Sequence, residues 1–477
     1  MSIQVHNTLS GKKEEFVPLN GKKVTMYSCG PTVYDMSHLG HARTFIVWDV
    51  VQRYLRFAGY DVTFVRNITD VDDKIINRAR EIGVTPEKLA RQYTYDFWHD
   101  MSSLGVEFPD YEPRATEFIT QMITFVEELI AGGHAYVAGG DVYFDVASFK
   151  DYGKLGKQNL EQLLVGARDQ VISQDTLSAL KKNPVDFALW KSAAAEELGW
   201  PSPWGRGRPG WHLECSTMVK HILGQSIDIH VGGEDLVFPH HENEIAQSEA
   251  LHGKPLANYW LHNGFVQINT EKMSKSLGNF STIRDLLETF SRDTIRLFVL
   301  QTHYKNPIDF TLDSLASTKT GIQRLVRAAV HADSGDHDQS NKNNGGGAEV
   351  SAEAKKEEET FCKNFAEAMN NDFNTAVAIS HLFQLADVIN KSKNEHDRKQ
   401  LATTLVRYAD ILGLTLEDTR LEVDSPLGGK LIDLLLNLRQ EAKAKKDFAS
   451  SDLIRKSLTD LGITVMDSAA GASWERT

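Results

Sequence analysis

Cysteine is scarce in this chain, with three residues among 477, at Cys29, Cys215 and Cys362. They are too few and too far apart for a disulfide framework, which leaves burial, catalysis or metal binding in a reducing compartment. Proline is sparse as well, at 13 residues, and with 41% hydrophobic and 25% charged residues the composition excludes a collagenous or disordered chain. Long apolar runs are missing, since no stretch approaches the ~18 residues that span a bilayer. The opening MSIQVHNTLSGKKEEF lacks the apolar core of a secretory signal. A cytoplasmic protein with no membrane partner is the expectation. Positive charge is in deficit, with 52 Lys and Arg against 65 Asp and Glu and a formal net charge of -13. That excludes coating of nucleic acid by bulk attraction, so any RNA contact must rest on local basic patches.

What is present reads as an α/β protein with appended helices. Lys23 to Ser28 is a short apolar strand, Arg43 to Phe57 a helix and Asp61 to Asn67 a second strand, with helical pattern returning from Thr85. Phe45, Trp48, Val51 and Leu55 recur at three and four residues, a face suited to covering a sheet. This order predicts a parallel, doubly wound unit over residues 1–125, resumed over 206–250 by the apolar strand Ile227 to Val231. Residues 126–205 interrupt it as an inserted domain, in which AYVAGGDVYFDV reads as two strands about Gly139 and Gly140. Residues 251–315 form a linking region, and helical periodicity over 316–423 predicts a bundle. The polar, glycine-bearing stretch from Ala332 to Ala348 is expected as a mobile loop. A last unit, 424–477, opens with a basic helix and ends in a strand at Ile463 to Met466.

Two short motifs suit phosphate chemistry. The segment CGPTVYDMSHLGH, from Cys29 to His41, sits where the first strand passes into the first helix, the place where an open α/β sheet binds ligands. His38 and His41 can both face one anion favoured by the helix amides, and Gly40 leaves room for a flat base against backbone. Far downstream, Lys272 and Lys275 in KMSKS can neutralise charge building on a leaving pyrophosphate. Taken singly, the first motif also fits two surface histidines and the second a solvated basic loop. Together they resemble the HIGH and KMSKS signatures of class I aminoacyl-tRNA synthetases, the second letter for letter and the first with Leu39 in place of Ile.

Cys29 precedes the histidine motif, Cys215 lies in GWHLEC, and FPHHENE starts at Phe238. With Pro239 suited to a first helical turn, His240 and Glu244 stand four residues apart on one helix face. Two thiols, an imidazole and a carboxylate make a donor set that suits tetrahedral zinc. No CxxC pair is present, and each residue also fits as a small buried side chain or a charged helix cap. A metalloprotease reading of His241 and Glu242 fails, because Ile245 stands where that motif needs histidine. Gly232 and Gly233 close the resumed strand and would allow close ligand approach, and Asp235 suits either a ligand contact or a helix cap.

Four stretches resemble the cysteinyl-tRNA synthetase family in particular: CGPTVYD at Cys29, RNITDVDDK at Arg66, RPGWHLECS at Arg208 and FPHHENEIAQS at Phe238. The resemblance implies a class I Rossmann-like catalytic domain with an inserted domain, then a helix bundle and a small anticodon-binding unit. It implies a monomeric ligase that joins L-cysteine to ATP, releasing diphosphate, and passes the cysteinyl group to the 3′ end of tRNA(Cys). It also implies Zn2+ on Cys29, Cys215, His240 and Glu244, holding the substrate thiol, and Mg2+ with the ATP. His38, Gly40, His41, Gly232, Asp235, Lys272 and Lys275 are the expected ATP site, His38, His41, Lys272 and Lys275 its catalytic part. Thr69 and Trp211 are the expected amino-acid site. Apolar pockets separate near-isosteres by only about 1–3 kcal/mol, so a bond from metal to thiol explains selection without an editing domain.

In the last unit Arg439, Lys443 and Lys446 stand at i, i+4 and i+7, a basic face beside Phe448, whose ring can stack on an unpaired base. A solvated helix with Phe448 in a local core is the plainer alternative. By resemblance this is the tRNA-binding end, with Trp474 a further contact. Two rival functions remain: a ligase handing cysteine to the amine of a sugar, which would lack residues 424–477, and a catalytically silent tRNA-binding protein, which would lack the motif residues.

Overall fold

The computed structural model describes residues 2–158, 180–268, 271–272, 281–332, 350–417, 426–445, 447–460, 462–468 and 471–476. The loop expected from Ala332 to Ala348 lies outside the described residues from 333 onward. The chain divides into two units, Met1–Leu416 and Glu417–Thr477.

The first unit opens with an antiparallel hairpin of β1 (Gln4–Asn7) and β2 (Lys12–Glu15). Next come β3 (Lys23–Ser28), α1 (Leu39–Phe57), β4 (Asp61–Arg66), α2 (Asp73–Ile82), α3 (Pro86–Ser103) and α4 (Ile119–Ala131). An antiparallel sheet follows, built in sequence order from β5 (Ala135–Ala138), β6 (Asp141–Phe144), β7 (Phe187–Ser192) and β8 (Gly207–Pro209). The turn between β5 and β6 is Gly139 and Gly140, both at positive φ, as the pair of strands expected there requires.

The first sheet then resumes through α5 (Trp211–Ile222), β9 (Ile227–Gly233), α6 (Glu242–His252) and β10 (Ala257–Asn263). Its order is β10-β9-β3-β4, all parallel, with Tyr27 opposite His230 and Ser28 opposite Val231. Every residue of β9 is buried, as expected for a strand covered on both faces. Because β4 and β9 flank β3 on opposite sides, the crevice lies at the carboxyl ends of β3 and β9, where such sheets bind ligands.

Helix α1 buries Phe45, Trp48, Val51 and Leu55, the predicted face, but it starts at Leu39 and not at Arg43. Its cap is the His38 ring, whose Nδ1 accepts from the Gly40 amide at 3.1 Å. Gly40 makes this possible, since a Cβ there would lie 2.8 Å from that ring.

A small sheet of β11 (Val266–Ile268), β12 (Glu271–Lys272) and β13 (Ile308–Asp309) accompanies α7 (Ile283–Leu287) and α8 (Arg292–Leu300). Helices α9 (Leu312–Ala329), α10 (Ala352–Asn370), α11 (Thr375–Lys391) and α12 (Glu395–Ile411) complete the unit. They share one hydrophobic core with α1 and the four-stranded parallel sheet. Buried Arg296 on α8 fastens this junction, donating to Asp49 of α1 at 2.6 Å and to the carbonyls of Leu104, Gly105 and Leu412.

The second unit contains α13 (Pro426–Ala444), α14 (Phe448–Asp460) and a hairpin of β14 (Ile463–Ser468) and β15 (Gly471–Arg476), around Ile432, Leu436, Leu458, Ile463 and Val465. No helix among the described residues is long and apolar enough to cross a membrane.

Candidate active site and metal centre

Cys29 follows the last residue of β3, Cys215 lies in the first turns of α5, and His240 and Glu244 flank the start of α6. All four are buried. Their donor atoms lie within 4.8 Å of one another. The Cys29 and Cys215 sulfurs are 3.6 Å apart, and His240 Nε2 is 3.5 and 3.7 Å from them. Glu244 Oε1 is 3.2 Å from the Cys29 sulfur and 2.9 Å from His240 Nε2. A zinc tetrahedron with Zn–S about 2.3 Å and Zn–N about 2.0 Å has edges of about 3.8 Å between sulfurs and about 3.5 Å between sulfur and nitrogen. The donor set fits that ion.

Local sequence explains the placement. Gly30 packs so tightly that a Cβ would lie 1.5 Å from the Asn67 carbonyl oxygen, which draws the residue after Cys29 against the end of β4. Pro239 does not open α6 as expected. Phe238 takes extended dihedrals, so Val237–His241 is a widened turn and α6 begins at Glu242, yet His240 still meets Glu244.

Electrostatics match a cation site. Burial opposes charge on Glu244, but His230 and His240 outweigh it and hold the carboxyl well below its usual range. Burial opposes charge on His240 too, but Glu244 and Cys215 push it up to about 10. Burial also works against a Cys215 thiolate, yet its hydrogen bond with Cys29 and its contacts with His240 bring the thiol down to about 7. Burial pushes the Cys29 thiol up, with Cys215 and Glu244 adding to the effect. Two thiols and a carboxylate crowded together out of water are reconciled best by a dication.

Sequence reasoning missed a shell of histidines. His240 Nδ1 is 2.9 Å from His212 Nδ1, which leaves Nε2 for the cluster. His230 Nε2 donates to Glu244 Oε2 at 2.8 Å, and its ring stacks on Trp260. His241 Nε2 is 3.3 Å from the Cys29 sulfur, and its Nδ1 is 2.8 Å from His262 Nε2, whose Nδ1 is 2.8 Å from the Thr8 hydroxyl. This relay couples the tautomers of His241 and His262, because the ring nitrogen that carries the proton in one decides which carries it in the other. Cys29, His230, His241 and Glu244 form a second four-donor set that shares two members with the first. A signal for the shell existed: His230 and His262 stand beside Ile229, Val231 and Leu261 in strands that are almost wholly buried.

Two other expected residues adjoin the cluster. Trp211 stacks on His240 at 4.1 Å, and buried Thr69 donates to Glu214 at 2.6 Å. His38 and His41 have ring centroids 4.0 Å apart at the start of α1. Gly232 leaves room for the His241 ring, 2.7 Å from where its Cβ would be, and Asp235 is exposed just beyond β9. The backbone of Lys272 lies in β12, while its side chain and all of Lys275 lie outside the described residues.

In the second unit the expected basic face is not continuous. Arg439 is 1% exposed, because Ile432 and Leu436 on the same side of α13 turn that side into the core. Lys443 and Phe448 are exposed, the Trp474 indole donates to Asp433 at 3.2 Å, and Lys446 lies outside the described residues.

Residues 15–320 match the family model of the class I (C) tRNA synthetase catalytic domain, and residues 364–417 match the DALR domain. The cysteine-tRNA ligase of Geobacter sulfurreducens is 46% identical, with 100% of both chains covered. That of Clostridioides difficile is 45% identical over 99% of this chain and 100% of its own. Among solved structures, the methionyl-tRNA synthetase of Mycobacterium tuberculosis bound by methionyl-adenylate aligns with a TM-score of 0.56 and 17% identity, covering 87% of this chain and 94% of that one. The LeuRS of Agrobacterium radiobacter, in a ternary complex with tRNA and LeuAMS, aligns with a TM-score of 0.59 and 11% identity, covering 83% and 84%. These two likenesses concern the fold. The catalytic match, the DALR match and the full-length identity together mean that the chain belongs to the cysteine-tRNA ligase family of class I tRNA synthetases.

Proposed function

We propose that the chain joins L-cysteine to ATP, forming cysteinyl-adenylate and diphosphate, and transfers the cysteinyl group to the 3′ end of tRNA(Cys). The observation that carries this reading is the buried cluster of Cys29, Cys215, His240 and Glu244 in the crevice of a class I catalytic sheet. Its donors suit Zn2+, which when bound supplies a soft Lewis acid that takes a thiolate and disfavours the harder hydroxyl of serine. The chain keeps the donors dry and oriented: His212 fixes His240, His241 faces Cys29, and His230 holds Glu244. Trp211 and Thr69 border the amino acid, with Trp211 stacked on His240 as one wall.

The substrate carboxylate attacks the α-phosphorus, so no protein nucleophile is needed. His38, His41, Lys272 and Lys275 stabilise the phosphoryl charge, with Mg2+ on the ATP. Gly40, Gly232 and Asp235 line the nucleotide. Lys443, Lys446, Phe448 and Trp474 contact tRNA, and the enzyme works as a cytoplasmic monomer.

Charging of total bacterial tRNA with labelled cysteine, ATP and magnesium tests this, with serine as control. Alkali-labile counts for cysteine alone are expected. Cysteine-driven pyrophosphate exchange without charged tRNA would mean the acceptor is wrong.

A further inference from the structure

Cysteine offers three polar groups. In the reading above its thiol meets the metal and its carboxylate stays free to attack phosphorus, which leaves the α-ammonium without a seat. On α5, Trp211, Glu214 and Cys215 stand at i, i+3 and i+4, on the face that meets His240 and Cys29. Glu214 is 0% exposed, and no cationic side chain among the described residues pairs with it. Its Oε2 accepts the Thr69 hydroxyl at 2.6 Å, while its Oε1 has no hydrogen-bond partner. A buried carboxyl set among Cys215, Asp70 and Asp72 lacks a cation. Asp70 is already committed, one oxygen accepting the Thr116 amide at 2.9 Å and the other its hydroxyl at 2.6 Å.

The Glu214 carboxyl is also linked to both sulfur donors. Thr69 accepts from Asn67 Nδ2 at 3.3 Å, and Asn67 Oδ1 accepts the amide of Gly30, next to Cys29, at 2.8 Å. The same oxygen is 3.7 Å from the Cys215 sulfur. A substrate whose sulfur lies beside Cys29 and Cys215 carries its nitrogen only two carbons away, toward this chain of hydrogen bonds. We propose that Glu214, together with the Thr69 hydroxyl, forms the seat of the substrate's α-ammonium. The assignment rests on the cysteine reading above.

Calorimetric titration of the zinc-loaded full chain separates a recognition role from a structural one. Cysteine is compared with 3-mercaptopropionate, which keeps the thiol and carboxylate and lacks the amine. E214Q keeps the shape of the side chain, and E214A removes it. Both variants are expected to weaken cysteine by about tenfold or more, the range for a hydrogen bond to a charged group, and to leave 3-mercaptopropionate within about twofold. Equal weakening of both thiols overturns the proposal, as does unchanged cysteine affinity in E214Q. A wild-type protein that binds neither thiol overturns the cysteine reading itself, and this assignment with it.

Discussion

Replacing His230 by Phe removes one N–H from the metal centre while keeping a flat ring against Trp260, on which His230 stacks with centroids 4.4 Å apart. That N–H donates to Glu244 Oε2 at 2.8 Å, and both side chains are 0% exposed. Water cannot replace the lost donor, so a buried carboxylate oxygen is left unpaired. A hydrogen bond to a charged group contributes about 1.5–3 kcal/mol, and a decade of affinity is about 1.4 kcal/mol, so zinc binding should weaken by about 10–100-fold. The effect passes through Glu244, whose other oxygen lies 2.9 Å from His240 Nε2 and 3.2 Å from the Cys29 sulfur. Competition with a chromophoric chelator of known zinc affinity measures it, with circular dichroism checking that the fold is retained. A folded H230F protein whose zinc affinity stays within about twofold of wild type would refute the argument that Glu244 depends on His230.

Further expectations follow from the same contacts. Arg296→Met removes the 2.6 Å partner of buried Asp49, which keeps Arg53 at 3.0 Å, and takes the donor from the Leu104 and Leu412 carbonyls, so urea unfolding should show a loss of about 1.5–3 kcal/mol; a loss below about 0.5 would contradict the role given to that junction. Gly30→Ala places a Cβ 1.5 Å from the Asn67 carbonyl oxygen, and purified protein should carry far less zinc than wild type; full zinc content would count against it. Burial, reinforced by His230, draws His262 down to about 3 from an ordinary 6.5. The unfolded chain therefore binds the extra proton, and stability present above pH 6.5 is lost as pH falls toward about 3, at up to about 1.4 kcal/mol per pH unit. In metal-free protein, His262→Gln should make the pH dependence of urea unfolding shallower by about one proton between pH 6 and 4.5; identical slopes would refute it. Lys275→Ala should slow adenylate formation far more than it weakens cysteine binding, and equal losses would remove Lys275 from that role.

Much of this arrangement was legible from pattern. Phe45, Trp48, Val51 and Leu55 announced the buried face of α1 because a helix repeats at 3.6 residues, and β3 runs over the expected Lys23–Ser28. The start of α1 was harder to read, since the cap is a histidine ring and not the usual Ser, Thr, Asp or Asn. Helix α2 went unread because only Ile75 and Ala79 are buried along it, too few to set up a periodicity. Arg439 illustrates another limit: spacing identifies residues that share a face, but only packing by Ile432 and Leu436 decides that the face turns inward. Cys29, Cys215, His240 and Glu244 could be proposed from donor chemistry. The contacts of His212, His230, His241 and His262 depend on three strands and two helices meeting, which no local pattern encodes.

Pyrophosphate exchange by zinc-loaded and zinc-stripped protein, driven by cysteine or by serine, tests the metal-centred account of selection most directly. The account predicts exchange with cysteine alone, its loss on stripping, and its return when zinc is restored. Undiminished cysteine-driven exchange by protein with no measurable metal, or exchange driven equally by serine, would contradict it.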